Sequence, residues 1–351
     1  MNRRHSKNLD VVAIGNALVD VLARAGDDLI STLGLTKGTM SLVGPSEVAH
    51  ASSVLAPEKR ISGGSAANTA VGVASLGANA GFIGRVAKDE LGRVFTDDIT
   101  SSGVEFRHPS SHRPTSEQDS TGHCFILVTP DAERTMATYL GVAGQLTQAD
   151  IDESMISRSR ITYLEGYLWD LPQTKDALRH AMEISHSAGQ LVALSLSDPF
   201  VVERHRSELQ ELIEGSMVDI VFGNEEEVKL LYSAATFEEG AKLIAATGAL
   251  SALTRGAKGS VVISGADEIK VDARIKAGVV DTTGAGDLYA AGFLSAMTLR
   301  HPEHAGKQLL AEANLERCAQ VGSLAAAEII SHMGSRPVVS LAKLARAEEL
   351  L

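Results

Sequence analysis

Asp281-Thr282-Thr283-Gly284-Ala285-Gly286-Asp287, running on into Leu288-Tyr289-Ala290-Ala291-Gly292-Phe293-Leu294, is the stretch on which the reading of this chain turns. Upstream, residues 275–280 read as a short apolar strand; downstream, small and apolar residues recur at helical spacing. Strand, glycine turn and helix start in line leave the first-turn amides of the helix without intrahelical acceptors, and the helix dipole adds positive charge there. Such a terminus holds an anion such as a phosphate. Asp287, in the first turn, stands where a carboxylate can take a proton from a hydroxyl beside that anion. Phosphoryl transfer needs this pairing of charge stabilisation with a base. Ordinary capping also puts Asp in first turns, so the reading depends on companion motifs elsewhere.

Outward from this motif, apolar runs of strand length alternate with helix-periodic segments over most of the chain. The runs at 11–15, 80–84, 161–165, 191–195, 218–222 and 249–253, followed by 260–263 and 268–271, predict strands. Segments 65–76, 173–187, 200–213, 225–232 and 237–247 have helical spacing. Near-continuous apolar strands separated by helices predict an α/β fold with a mostly parallel central sheet and helices on both faces. Ligands on such sheets collect at the carboxyl ends of the strands. Residues 17–46 and 105–141 break the rhythm with alternating patterns, as in Thr121-Gly122-His123-Cys124-Phe125-Ile126-Leu127-Val128 and Thr135-Met136-Ala137-Thr138-Tyr139-Leu140. They read as insertions that build a small antiparallel β lid on a single domain spanning 1–351. Closure of a lid would exclude water from a phosphoryl transfer; a peripheral subdomain used for dimer contacts is the competing reading. The polar segment 109–121 predicts a mobile loop, and the Ala-rich stretch 311–332 predicts a helix packed on the sheet.

A chain of 351 residues can bury a large core, and 44% apolar with 22% charged residues is ordinary globular composition. A net charge of −12, with no Lys/Arg-rich stripe, argues against a nucleic-acid partner. Cys124 and Cys318 are far apart and lack metal-ligand neighbours, which argues against a disulfide framework or a Cys-type zinc site. His301 and His304 read as surface residues, and no HExxH occurs. Arg3, Arg4 and Lys7 before the apolar run 11–22, with Ala23-Arg24-Ala25 behind it, imitate a secretory signal. Asn16 and Asp20 interrupt that run, and cleavage would remove a core strand. With no apolar run of transmembrane length, a cytoplasmic location without a membrane partner is expected.

Ser62-Gly63-Gly64-Ser65-Ala66-Ala67-Asn68-Thr69-Ala70 is a second glycine turn at a helix start, with Gly77 suited to the C-cap. Gly63 and Gly64 let backbone approach a ligand, and Asn68 offers the donor and acceptor that a sugar hydroxyl edge uses. A tight turn with Asn68 capping locally explains the same residues. Asp20, closing Gly15-Asn16-Ala17-Leu18-Val19-Asp20, suits two adjacent hydroxyls of a ribose or hexose, or else sits exposed on a lid strand. In Gly223-Asn224-Glu225-Glu226-Glu227, capping alone explains Glu225 and Glu226. Asn224 and Glu227, three apart on one face, suit Mg2+ and its waters near a nucleotide. Thr254-Arg255-Gly256-Ala257-Lys258-Gly259 reads equally as a loop around a nucleotide or as a hairpin turn. Arg134, after Asp131-Ala132-Glu133 at a lid turn, can reach an incoming phosphate as a bidentate cation. Neither GxxxxGK[ST] nor GxGxxG occurs, which disfavours a P-loop enzyme and a Rossmann dehydrogenase.

Taken in order, the GG-x-x-x-N helix start, the N-x-x-E after a strand, the T-x-G-x-x-G loop and D-T-T-G-A-G-D resemble the PfkB (ribokinase-like) carbohydrate kinase family over nearly the whole chain. Gly15-Asn16-Ala17-Leu18-Val19-Asp20, Leu194-Ser195-Leu196-Ser197-Asp198-Pro199-Phe200 and Phe222-Gly223-Asn224-Glu225-Glu226-Glu227 resemble its adenosine kinase branch. The resemblance implies a ribokinase-like fold, ATP and Mg2+ as cofactors, and a ribose held by Asn16, Asp20, Gly63, Gly64 and Asn68. It implies Asp287 as the base on the 5′-hydroxyl, with Gly284, Ala285 and Gly286 as the anion hole. Asn224 and Glu227 would manage Mg2+, Glu227 through water, while Thr254, Gly256 and Gly259 would line the ATP site. Phe200 would stack near the nucleobase. Asp281 and Thr283 match the position where some members bind a monovalent cation, K+. Two residues depart from the adenosine kinase pattern: Asp198, where Ala is frequent, and Thr283, where Asn is. A carboxylate at Asp198 near the base pocket would favour a different nucleobase.

The expected activity is ATP-dependent phosphorylation of the 5′-hydroxyl of a purine nucleoside, adenosine above others. A sugar kinase of the ribokinase or fructokinase type is the same-class alternative; a non-catalytic nucleoside-binding protein is the alternative from another class. Retention of Asp287, Asn224 and Glu227 counts against the last. Pairing of lid edges between two chains would be a natural dimer contact.

Overall fold

The computed structural model describes residues 8–107, 119–131, 133–274 and 278–351. Strand β1 (Leu9–Ile14) shows how the main sheet is built: Val11 and Ala13 enter one buried layer, Val12 and Ile14 the other. A strand with two apolar faces needs cover on both sides, so helices must flank it.

After β1 come β2 (Leu18–Arg24), α1 (Asp27–Thr32), β3 (Met40–Leu42), α2 (Pro45–Val54) and β4 (Pro57–Gly63). Next are α3 (Ser65–Ser75), β5 (Ala80–Ile83), α4 (Glu90–Ser101), β6 (Glu105–Phe106), β7 (His123–Val128) and β8 (Arg134–Tyr139). The middle of the chain gives α5 (Glu153–Ser157), β9 (Ser159–Glu165), α6 (Pro172–Ser187), β10 (Leu191–Ser195), α7 (Pro199–Glu214) and β11 (Ile220–Asn224). It continues with α8 (Glu225–Tyr232), α9 (Phe237–Ala245), β12 (Leu250–Thr254), β13 (Ser260–Ser264) and β14 (Asp267–Val271). Helices α10 (Ala285–Arg300), α11 (Gly306–Glu312), α12 (Leu315–Ile329) and α13 (Leu341–Ala347) close it.

The main sheet has nine strands in the order β14-β13-β12-β11-β10-β9-β1-β5-β6. From β6 to β12 all neighbours run parallel, and β13 and β14 form an antiparallel edge. Helices α3, α10 and α12 cover one face, and α5 to α9 cover the other. The fold is the α/β class read from the sequence, with strand ends displaced by at most two residues.

Several expectations change. The expected strand 275–280 is described only at 278–280, which is not strand: Val279 and Val280 are exposed, and the Val280 amide bonds to Ile330 O. Of the expected loop 109–121, residues 109–118 lie outside the described residues. The expected helix 311–332 is broken, because Asn314 leaves helical geometry to cap α12 by accepting from the Arg317 amide. His301 and His304 are half-buried with stacked rings, rather than on the surface. Together with Glu303 they bring metal-capable atoms close, but the Arg160 guanidinium bonds the carbonyls of Thr298, His301 and His304, so positive charge underlies this loop.

The second sheet has five strands in the order β3-β8-β7-β2-β4, and it is mixed rather than antiparallel. The pairs β2·β7 and β3·β8 are parallel, whereas β2·β4 and β7·β8 are antiparallel. Its strand β4 lies beyond the 17–46 insertion, and β6, expected in that sheet, joins the main sheet beside β5. Strand β4 begins Pro57-Glu58-Lys59-Arg60, exposed and charged, as edge strands are, and so lacks an alternating signature. The run 11–22 that imitates a secretory signal splits into β1, between β5 and β9, and β2 in the small sheet; Arg3, Arg4 and Lys7 lie outside the described residues. Among the described residues no helix is long and apolar enough to cross a membrane. Cys124 and Cys318 are buried free thiols.

Helix α10 is apolar all round, with every residue from Leu288 to Thr298 buried. It can occupy this position because it meets α12 through glycines. A Cβ on Gly292 would lie 2.5 Å from Val321 O, and one on Gly322 would lie 2.8 Å from Tyr289 O. The substitution Gly292→Val should force these backbones apart and lower stability by roughly 1–3 kcal/mol in chemical denaturation. Unchanged stability would show that the contact tolerates expansion.

Candidate active site

A cavity of about 750 Å³ lies between the small sheet and the carboxyl ends of the main-sheet strands. Its floor is the start of α10. Gly284 caps that helix in the left-handed region at φ 79°, with no side chain bonded to the first-turn amides. A Cβ on Gly286 would meet nothing within 4 Å, so the turn opens into the cavity. Amides free of side-chain caps at the positive end of a 16-residue helix make an anion site.

Asp287 stands in the first turn of α10 and is gripped from α3. Ser65 Oγ donates to its Oδ1 at 2.6 Å and Asn68 Nδ2 to its Oδ2 at 2.9 Å. Burial pushes the Asp287 carboxyl above its ordinary value, opposed by those two bonds and by the positive charge of Arg336. A base raised towards neutrality accepts a hydroxyl proton more readily than an ordinary aspartate.

Gly63 and Gly64 form the turn that delivers α3. Gly64 has φ 97°, and a Cβ there would lie 2.2 Å from Asn16 O; one on Gly63 would lie 2.3 Å from Asp20 Oδ1. Glycine is therefore required where β4, the loop after β1 and the Asp20 carboxylate converge. Asp20 is not exposed: it lines the cavity, and burial raises its carboxyl to about 6, with Arg336 and Arg134 holding it down and Asp287 adding to the rise.

Asn16 is held by Glu165 at the end of β9. The Asn16 amide and Nδ2 both donate to Glu165 Oε1, at 2.7 and 2.8 Å, and the Ala66 amide donates to Oε2 at 2.8 Å. Glu165 is buried, and desolvation raises it to about 7 against those three bonds. Asn16 Oδ1 and Asn68 Oδ1 are buried without a hydrogen-bond partner. Two unpartnered acceptors beside one base call for a ligand bearing hydroxyl donors, since a buried polar atom left unpaired is costly.

Asn224 and Glu227 form a capping box on α8. Asn224 Oδ1 accepts from the amides of Glu226 and Glu227, and Glu227 accepts from the Asn224 amide and Nδ2. The capping thus falls on the pair read as metal-linked, while Glu225 pairs with Arg255 and Lys258. Both residues of the pair still line the cavity, and burial raises Glu227 to about 7. A buried, hard oxygen donor there fits Mg2+ held through water. Thr254 lines the cavity too. Gly256 and Gly259 instead shape the β12–β13 hairpin, at φ 56° and 84°, outside the cavity wall.

Arg134, at the start of β8, donates to Asp281 Oδ2 at 2.5 Å and reaches Thr283 Oγ1 at 3.4 Å. The Gly334 amide shares Oδ2, and the Thr283 amide takes Oδ1. With its carboxylate bonded to Arg134, the Asp281 side chain does not fit K+, so an ion there would rest on the backbone of Asp281 and Thr283; no step passes through it. Phe200 sits 68% exposed at the cavity wall. Asp198 is engaged as the N-cap of α7, accepting from the Phe200 amide at 2.7 Å, so that oxygen is not free for a nucleobase.

Sequence reasoning missed four contributors: Ser65, Glu165, Tyr167 and Arg336. Ser65 lay inside a quoted motif, and Glu165 ends a strand whose carboxyl end was expected to meet ligand. Tyr167 and Arg336 sit in irregular segments with no periodic signal.

A buried carboxyl flanked by unpartnered oxygens at a glycine-rich helix start is an arrangement suited to a phosphotransferase with an alcohol as acceptor. The chain belongs to the pfkB family of carbohydrate kinases, whose model matches residues 31–341. It is similar to the solved adenosine kinase of Sinorhizobium meliloti, at 43% identity, 97% of this chain, 99% of that one and TM-score 0.85. It is also similar to a probable sugar kinase from Rhizobium etli CFN 42, at 38% identity, 99% and 100% coverage and TM-score 0.86. A 5-dehydro-2-deoxygluconokinase of Geobacillus kaustophilus is 26% identical over 80% of this chain and 83% of its own length.

Asp20, Glu165 and Glu227 all have raised carboxyls in the folded state. Their contribution to stability is full below the unfolded values near pH 4 and is lost as pH rises through about 6 to 7. Glu165→Gln removes one of these groups. Its stability relative to wild type should improve by about 2 kcal/mol between pH 5 and pH 8 in thermal denaturation. A difference independent of pH would mean that Glu165 stays ionised throughout.

Proposed function

We propose that this kinase phosphorylates the 5′-hydroxyl of a purine nucleoside with ATP, adenosine to AMP foremost. The observation that carries the reading is the pair of unpartnered oxygens, Asn16 Oδ1 and Asn68 Oδ1, beside Asp287 in a cavity that runs on to Tyr167 and Phe200. The first part suits a ribose; the aromatic extension gives a planar base something to stack on, which a free sugar does not need. The likeness to the Sinorhizobium adenosine kinase supports the same reading.

In this mechanism Asn16, Asp20, Gly63, Gly64 and Asn68 hold the ribose, and Ser65 and Asn68 aim the Asp287 carboxylate at the 5′-hydroxyl. Asp287 takes the proton as the oxygen attacks. The amides at Gly284, Ala285 and Gly286 hold the charge that develops on the transferred group. ATP would supply the phosphoryl group, and Asn224 and Glu227 would hold Mg2+, Glu227 through water, whose positive charge favours transfer to the acceptor. Thr254 lies at the nucleotide end, with Gly256 and Gly259 shaping the loop beyond. Arg134 exchanges Asp281 for the incoming phosphate, and the small sheet acts as the lid that excludes water. A single domain, a cytoplasmic location and a dimer formed along the β3 or β4 edges belong to the same reading.

A sugar kinase is the second reading, favoured by the Rhizobium sugar kinase and the Geobacillus 5-dehydro-2-deoxygluconokinase. A coupled ADP-release assay across adenosine, inosine, guanosine, cytidine, ribose and fructose separates the two. Preference for a purine nucleoside is expected; turnover of free sugars alone overturns the reading. Asp287→Asn should lower kcat by roughly 10²–10⁴ with nucleoside affinity little changed by calorimetry. A variant within tenfold of wild type removes Asp287 from the role of base.

A further inference from the structure

Arg336 lies in the segment between α12 and α13 and has no part in the chemistry above. It is half-buried, and its hydrogen bonds all go to uncharged oxygens. Nε and Nη2 donate to Ser62 O at 3.0 and 2.7 Å, Nη2 also to Ser62 Oγ at 2.7 Å, and Nη1 to Ala67 O at 2.9 Å. Ser62 Oγ passes its own proton to Asp98 Oδ2 at 2.5 Å, which also accepts the Ser62 amide.

These bonds bridge a specific piece of backbone. Ser62 is the residue before Gly63-Gly64, and Ala67 lies in the first turn of α3. Between them is the turn that presents Ser65 and Asn68, the two side chains that hold both oxygens of Asp287. A double-glycine turn has little stiffness of its own. One planar fork bonded to both of its ends supplies that stiffness.

The surrounding charge has one sign. Asp98 of α4, Asp20 of β2 and Asp287 of α10 face the guanidinium, and Arg134 is the further cation facing Asp20. His332 of its own segment pairs with Glu328 at the end of α12. For Asp20 and Asp287 this cation opposes the rise that burial imposes.

We propose that Arg336 is a positioning residue: it braces the Gly63-Gly64 turn so that Ser65 and Asn68 meet Asp287, and it supplies the positive charge that faces that carboxyl. The second half rests on the kinase reading; the first does not.

The test uses the full chain with Arg336→Met and Arg336→Lys. With the preferred substrate, Arg336→Met should move the acidic limb of the kcat/KM profile to higher pH, so that its deficit against wild type is several-fold larger on that limb than on the plateau. Arg336→Lys should restore the limb while kcat stays low, because an ammonium cannot bridge Ser62 and Ala67 as a fork does. A deficit equal at every pH in both variants overturns the electrostatic half. Thermal denaturation without substrate gives a readout independent of turnover. The gap between wild type and Arg336→Met should be wider at pH 8 than at pH 5, because Asp20, raised to about 6, carries its charge only at the higher pH. An equal gap at both pH values overturns the electrostatic half, and no gap at either overturns the brace, even for a wild type that turns over none of the substrates, an outcome that by itself counts only against the kinase reading.

Discussion

Two helix N-termini converge on one carboxylate. Asp287 rides on the first turn of α10, and the side chains that hold it, Ser65 and Asn68, ride on the first turn of α3. The Thr69 hydroxyl ties the same turns through the Asp287 carbonyl at 3.2 Å. Both helices lie on one face of the main sheet, and α3 packs so closely on α10 that a Cβ on Gly72 would fall 2.6 Å from the Ala291 methyl. The small residues along these helices place the two positive termini side by side, and so set where an anion and a hydroxyl can meet.

That convergence explains the acidity of the cavity. Asp20, Glu165, Glu227 and Asp287 all point to a space removed from water, and all four are raised above their ordinary values by burial. Each also accepts hydrogen bonds or faces a cation, so the fold tolerates them without relaxing. Four buried carboxyls around one cavity are a pattern that structural cores avoid and binding or catalytic sites use.

The main sheet was legible because each of its central strands is buried on both faces, so apolar runs such as Leu191–Ser195 stand out against amphipathic helices. Glycine turns were legible for a different reason: Gly64 and Gly284 occupy backbone conformations that other residues resist. The small sheet was harder. Its pairing includes parallel neighbours, a register that local alternation does not encode, and β4 is largely solvent-facing. Asn68 and Asp287, which sit on motifs, line the cavity together as the sequence suggested; Glu165 and Arg336 went unread, because their contacts are with partners 99 to 274 positions away. For Asn224 and Glu227 the sequence posed capping and ligand binding as rivals, whereas the fold makes one capping box also part of the cavity wall.

The Gly63-Gly64 turn joins β4 of the small sheet to α3 of the main body without a linker. Ser62 pairs with Val19 across the β2–β4 ladder, and two residues after the ladder ends at Gly63, Ser65 is already bonded to Asp287. Small sheet and base are therefore geared together rather than hinged apart. A ligand that drew Asp20 inward would turn the same axle that carries Asn68, so on the proposed reading recognition of the acceptor's hydroxyls and alignment of Asp287 would be a single movement of one short piece of chain.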